Sequence, residues 1–251
     1  MSAASSRSPP PRGAHSELAR ELERVGCLHA ERRANPGLAT ALDRLAQWQA
    51  ARLHGTYADL AAQERYAGAV AFFENDLYGS ADFAQRDADI ARVVPVMTLM
   101  LPESVIATMA HAMELNALSH ELDRALLERL PRADGVFTSA DYCRAYCAMD
   151  NRPARERQID LIGEIGVGLD VYVRKPLIQT ALVMMRQPSR LAGLSVLHDF
   201  LERGFAAFHR MHGAAEFLAT IDRRERELMN ALFAGKTLSL PVRADRKGAA
   251  P

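Results

Sequence analysis

Lysine is nearly missing from this 251-residue chain, and neither sign of charge is in excess. Lys+Arg and Asp+Glu both total 31, so the net charge is zero. A general nucleic-acid binder carries a basic surplus, so no nucleic-acid partner is expected. Arginine supplies almost all the positive charge, which together with abundant alanine fits a GC-rich bacterial coding sequence. Cysteine is scarce too. Cys27, Cys143 and Cys147 are odd in number and too sparse for a disulfide framework. Cys143 and Cys147 share a helix face four residues apart, but two further ligands of a zinc site are missing. They read as small buried thiols. No apolar run approaches the roughly 18 residues of a membrane span. The first fourteen residues hold no apolar core of a signal peptide. The expectation is a soluble, cytoplasmic protein.

Catalytic signatures are absent as well. There is no P-loop, no G-x-S-x-G elbow and no H-E-x-x-H. Gly163-Glu164-Ile165-Gly166-Val167-Gly168 runs G-x-x-G-x-G with no clear strand before it, so it is not a dinucleotide fingerprint; glycines there suit close helix packing. Sustained apolar–polar alternation is rare, and only Gly166–Lys175 has local β character.

What remains is helical punctuation around apolar stripes. Ser16 can cap a helix carrying Leu18, Leu22 and Val25, which Asn35-Pro36-Gly37 breaks. Leu38, Leu42, Leu45 and Trp48 recur at helical spacing up to about Gly55. Pro102 suits the first turn of a long helix to Leu130, Ser139 starts another, and Pro153 opens the next. Pro176 begins or kinks its successor, Pro188 opens a stretch to Met211, and a last helix ends at Gly235. With 49% hydrophobic residues the chain can bury a sizeable core. The fold class is all-α, a single-domain bundle of eight to eleven helices over residues 15–236. A disordered tail at 1–14 and a flexible one at 237–251 flank it.

The densest local pattern runs from Phe72 to Asp87. Tyr66, Val70, Phe73 and Leu77 form one apolar stripe. Gly79 offers a left-handed stop. Ser80 or Asp82 caps a second helix bearing Phe83, Ile90 and Val94. Asp76 falls on the edge of the first stripe, and Arg86 and Asp87 fall inside the second. Buried charges cost several kcal/mol each unless paired. Asp76, Arg86 and Asp87 are therefore expected to form a structural ion network with Arg65 behind it; carboxylates lining a pocket are the alternative.

The pattern F-F-x-x-D-L-Y-G-x-x-D-F-x-x-R-D-x-D-I-x-R-x-x-P-x-M, from Phe72 through Met97, resembles a family of uncharacterised bacterial helical proteins. The runs R-Q-I-D-L-I from Arg157 and F-L-E-R-G-F-A-A-F from Phe200 are similar to its C-terminal half. The resemblance spans roughly residues 40 to 235. It implies one helical domain of bacterial origin and transfers no catalytic residue.

Histidine and methionine carry the remaining signals. His111 shares a row with Leu115, Leu118 and Leu122, and Glu114 lies at its edge. On a continuous helix His198, His209 and His212 fall in one apolar arc with Phe205 and Phe208, and Glu216 extends the row. Inward His and Glu are how di-iron helical bundles hold metal. Here the pairs read H-x-x-E and H-x-x-H, without the usual E-x-x-H. A haem with His198 or His209 as axial ligand is a further form of that reading. The structural alternative pairs these rings with backbone carbonyls or acids such as Asp199. Met97, Met100, Met109, Met113, Met184, Met185 and Met211 would give an adaptable interior. Two functions follow. The first is a non-catalytic binding or interaction module that takes a hydrophobic small molecule or protein partner in a helical cleft. The alternative is a metal-dependent oxidoreductase using iron or another transition metal, with His111, Glu114, His198, His209, His212 and Glu216 as candidate ligands.

Overall fold

A computed structural model describes residues 13–74, 89, 92, 102–132, 134 and 136–237. Its helices are α1 (Ala14–Ala34), α2 (Pro36–Thr56), α3 (Ala58–Ala61), α4 (Glu64–Phe72), α5 (Glu103–Leu127), α6 (Ser139–Ala148), α7 (Arg152–Tyr172), α8 (Pro176–Met184), α9 (Arg186–Leu191), α10 (Ser195–Arg210) and α11 (Ala215–Phe233). No strand occurs among the described residues. The fold is all-α.

Local chemistry sets several boundaries. Asn35 accepts a hydrogen bond from the Leu38 amide at 3.0 Å, and Pro36 fills the first turn of α2. One dipeptide thus ends α1 and starts α2. Thr138 and Asp141 close a reciprocal capping box at the start of α6. The Gly166–Lys175 segment, for all its local β character, is helical through Tyr172, because α7 lies pressed between two neighbours. A Cβ on Gly166 would run into Leu218 of α11, and one on Gly168 would come within 2.8 Å of the Thr108 hydroxyl of α5. Packing here overrides β propensity. The stretch from Pro188 to Met211 is two helices, because Gly193 takes φ +70° and breaks it.

α1 lies along α5, α5 packs on α7, α7 on α11, and α10 on α4. Three apolar clusters fill the spaces. One joins α2–α4 to α10 and α11 through Tyr66, Phe72, Phe208 and Phe217. A second joins α2, α5, α6, α7 and α11 through Leu45, Leu126, Tyr142, Ile159 and Leu232. A third sits between α1, α5 and α10 around Leu18, Ile106 and Leu197. Cys143 is buried, Cys147 half-buried and Cys27 exposed, so the expectation of two buried thiols holds fully for Cys143 alone. Met113 and Met211 are core residues. Met184 and Met185 are not: both are exposed, which corrects the expectation of an all-internal methionine set. Met97 and Met100 lie outside the described residues.

Glycine positions give a direct test of this packing. A Cβ at Gly204 would sit 2.9 Å from the Phe72 ring, whereas one at Gly163 meets nothing within 4 Å. Gly204→Ala is expected to lower stability by about 1–3 kcal/mol through overpacking. Gly163→Ala should raise it by up to about 1 kcal/mol through helix propensity. Urea denaturation of the two variants checks both signs.

Candidate functional site

Five helices converge on charged and polar groups in the second apolar cluster. Gln49 and Arg52 come from the buried face of α2, Ser119 and Asp123 from α5, Tyr142 and Tyr146 from α6, Arg155 and Gln158 from α7, and Glu225 from α11. The Arg52 Nη1 group donates to Glu225 Oε1 at 2.7 Å, and the Tyr57 hydroxyl donates to the same oxygen at 2.7 Å. Gln49 Nε2 donates to Asp123 Oδ1 at 2.8 Å. Arg155 Nη1 donates to Gln158 Oε1 at 3.0 Å, and Gln158 Nε2 passes the chain to the Ser119 hydroxyl at 2.8 Å. The Arg155 guanidinium also lies 4.6 Å above the Tyr146 ring. Burial pushes the Asp123 carboxyl above its ordinary range, against the opposing pull of Gln49 and Arg155. Burial likewise raises the Tyr142 and Tyr146 hydroxyls, which stay protonated. Arg52 Nε and two nitrogens of Arg155 have no hydrogen-bond partner. Leaving these nitrogens unpaired is costly, and the hydrogen bonds that are made carry the whole of the layer's directional constraint. Sequence reading passed over it, although the signal was present: Gln49 and Arg52 follow Leu42 and Leu45 at the same three- and four-residue spacing.

A second polar region is a pocket of about 160 Å³ between α1, α5 and α7. It holds two of the expected metal ligands. Glu114 is gripped by both arms of Arg157, Nε to Oε1 at 2.9 Å and Nη2 to Oε2 at 2.7 Å. Arg157 also reaches Glu164 at 3.0 Å, and His111 Nδ1 lies 3.2 Å from the other Glu164 oxygen. Glu21, 3% exposed, takes Arg20 and Arg24. The hydrogen bonds from Arg157 hold the Glu114 carboxyl below its usual range despite burial. Arginine, not an open face, satisfies these carboxylates.

The other expected ligands lie in different surroundings. His198 is buried, with Nε2 2.8 Å from the Leu182 carbonyl of α8. His209 and His212 are exposed, which corrects their expected inward direction. The physical reasons differ: His209 lies in the last turn of α10, about 100° round from the buried Phe208 and so off the covered face, whereas His212 follows the end of the helix at Arg210 and adopts φ +51°. Glu216 is exposed and accepts from the Tyr66 hydroxyl at 2.7 Å and from Arg65 at 3.2 Å. Among the described residues, the ligand-type side chains that do cluster are His198, Asp199 and Glu202, with donor atoms within 4.8 Å of one another. His198 and Asp199 lie in the second turn of α10 and Glu202 near its middle. Glu202 already accepts from Arg186 at 2.6 Å. The expected network of Asp76, Arg86 and Asp87 lies outside the described residues. Arg65, placed behind it by the sequence, donates to the Met211 carbonyl at 2.8 Å and the Gly213 carbonyl at 3.2 Å.

The fourth feature is a surface. Seven of the nine residues of α8, P-L-I-Q-T-A-L-V-M, are apolar, yet none is buried. Leu177 is 85% exposed, Met184 72% and Leu191 of α9 89%. The helix is held from behind, where Gln179 donates to the Val173 carbonyl at 2.8 Å and Leu182 receives His198.

These features define an all-α multi-helix protein with an internal arginine–carboxylate layer and an uncovered apolar helix. The chain matches the profile of a domain of unknown function, DUF8198, over residues 28–239. It belongs to that family. No curated protein and no solved structure matches it.

The Arg52–Glu225 side chains are only 9% and 16% exposed, which puts them in the range of buried pairs. Arg52→Ala should cost about 3–5 kcal/mol by stranding Glu225. Joint Arg52→Met and Glu225→Leu replacement should recover most of the loss, as read by urea denaturation. Glu114 gives a pH dependence. Its folded carboxyl ionises below the ordinary value of 4.5. Its contribution is therefore present above that value and disappears as pH falls through the lower folded one. The partly solvated Arg157 pair limits the effect to about 1 kcal/mol. Glu114→Gln should lower the thermal midpoint slightly at neutral pH and converge with the parent chain in acid.

Proposed function

We propose that this chain is a non-catalytic interaction module that binds a protein partner through α8 and α9. The observation that carries the reading is an apolar helix with no buried residue. Scattered exposed leucines need no explanation, but a contiguous run of Leu, Val and Met at the surface marks an interaction site. From Pro176 to Met185 the chain has no charged residue at all. Methionines at 184 and 185 add side chains that adapt to a partner's shape.

Two alternatives find less support. A hydrophobic small molecule needs a cavity of some hundreds of Å³. The apolar pocket between Leu53, Val70, Phe73 and Phe217 offers about 20 Å³, room for about one water. A metal-dependent oxidoreductase needs convergent ligands. The six candidates instead divide among the α1–α5–α7 pocket, the start of α10 and the exposed α10–α11 corner.

The reading is tested with an apolar fluorescent dye at protein concentrations far below about 1 µM, where self-association is dissociated and α8 and α9 are open to it. The parent chain should bind it, and a Leu177→Ser, Leu191→Ser double variant should lose most of the signal with an unchanged thermal midpoint. Equal dye binding by both proteins would remove α8 and α9 as the recognition surface.

A further inference from the structure

The identity of the partner can be argued from the same surface, and the inference rests on the interaction reading above. We propose that α8 and α9 dock on a second copy of this chain, with the two α8 helices packed antiparallel about a two-fold axis.

The first support is the direction of the stripe. Leu177, Thr180, Ala181 and Met184 follow the i, i+3, i+4, i+7 spacing of a helix seam, and all four are exposed. Ile178, Gln179 and Leu182, on the other side, are the partly covered ones. The helix therefore presents to solvent the pattern that other helices present to a core. Thr180 and Ala181 are small and lie mid-stripe, which lets a second helix approach closely while Leu177 and Met184 interlock at the ends.

The second support is area. Leu177, Val183, Met184, Met185, Leu191 and Val196 are each about half exposed or more. Together, with Val196 contributed by the neighbouring start of α10, they expose on the order of 700 Å², backbone included, against the ~800 Å² that each partner gives to a standard interface.

The third is charge. An uncharged centre with a polar rim is the composition of a protein–protein interface. Arg174 and Arg186 flank α8, and each pairs within its own copy, Arg174 with Asp170 and Arg186 with Glu202. Arg190 of α9 is exposed, and in the proposed dimer it lies on the solvated rim, where salt screens it. In the antiparallel arrangement, each Lys175 meets the last turn of the other copy's α8, the negative end of its dipole. A membrane surface fits less well: no aromatic residue, the usual interfacial anchor, occurs from 173 to 199.

The test is sedimentation velocity on the full chain from about 1 to 100 µM. The parent should be a dimer in this range. Leu177→Glu and Met184→Glu should each weaken association at least about tenfold while leaving the far-ultraviolet circular dichroism unchanged. In a Cys27→Ser background, Ala181→Cys should form an intermolecular disulfide under mild oxidant, and Ala219→Cys on exposed α11 should not. A monomer throughout the range overturns the inference, as does a dimer indifferent to both glutamates. A monomer that still loses dye binding in the Leu177→Ser, Leu191→Ser variant overturns the second copy alone and leaves the surface to another protein. A monomer whose dye binding ignores those changes overturns both readings. Binding of the monomer to phosphatidylcholine vesicles containing phosphatidylglycerol would assign the surface to lipid and overturn the second copy as well.

Discussion

Burying Arg52 forces much of this architecture. A guanidinium so far from water needs a carboxylate, and the chain supplies it from Glu225, 173 residues away. Bringing these ends together carries a loop-closure cost that grows only slowly with length. Isolating either charge would cost far more. The pair and the Tyr57 hydroxyl beside it set how α2 meets α11. Gln49, Asp123, Arg155 and Gln158 then extend hydrogen bonding through α5 and α7. Apolar packing alone tolerates sliding of one helix on another. A layer of directional bonds among four of the helices does not.

This layer and the α1–α5–α7 pocket use one device, arginine gripping carboxylate. The planar guanidinium donates in two directions at once. Arg157 spans Glu114 and Glu164, and Arg24 spans Glu21 and Glu121. The near absence of lysine from the sequence thus has a structural counterpart: arginines such as Arg24, Arg52, Arg157 and Arg226 bridge helices, a role that a point charge on a flexible stem fills poorly. The same bridges explain why acids that look like metal ligands on a helical wheel are already occupied.

Much of the fold was legible because helix signals are local. Asn35-Pro36, Thr138 with Asp141, and the prolines near the starts of α7 and α8 act within a turn, whatever lies elsewhere. The candidate site was less legible. His212 lined up with the apolar arc only while the helix was taken as continuous, and its own φ of +51° ended that alignment; His209 stays on the helix but falls beside the covered face. Gly166–Lys175 carried local β character, yet two neighbouring helices pack on its glycines and keep it helical through Tyr172. Met184 had the composition of a core residue, but composition does not say which stripes find a partner.

The sequence by itself determined the helices, their caps and their apolar faces, since each depends on contacts within three or four residues along the chain. Tertiary structure alone decided which faces were covered. The stripes of α1 and α8 have the same spacing; Leu18 is buried because α5 lies against it, and Leu177 is open to solvent because no helix among the described residues covers it.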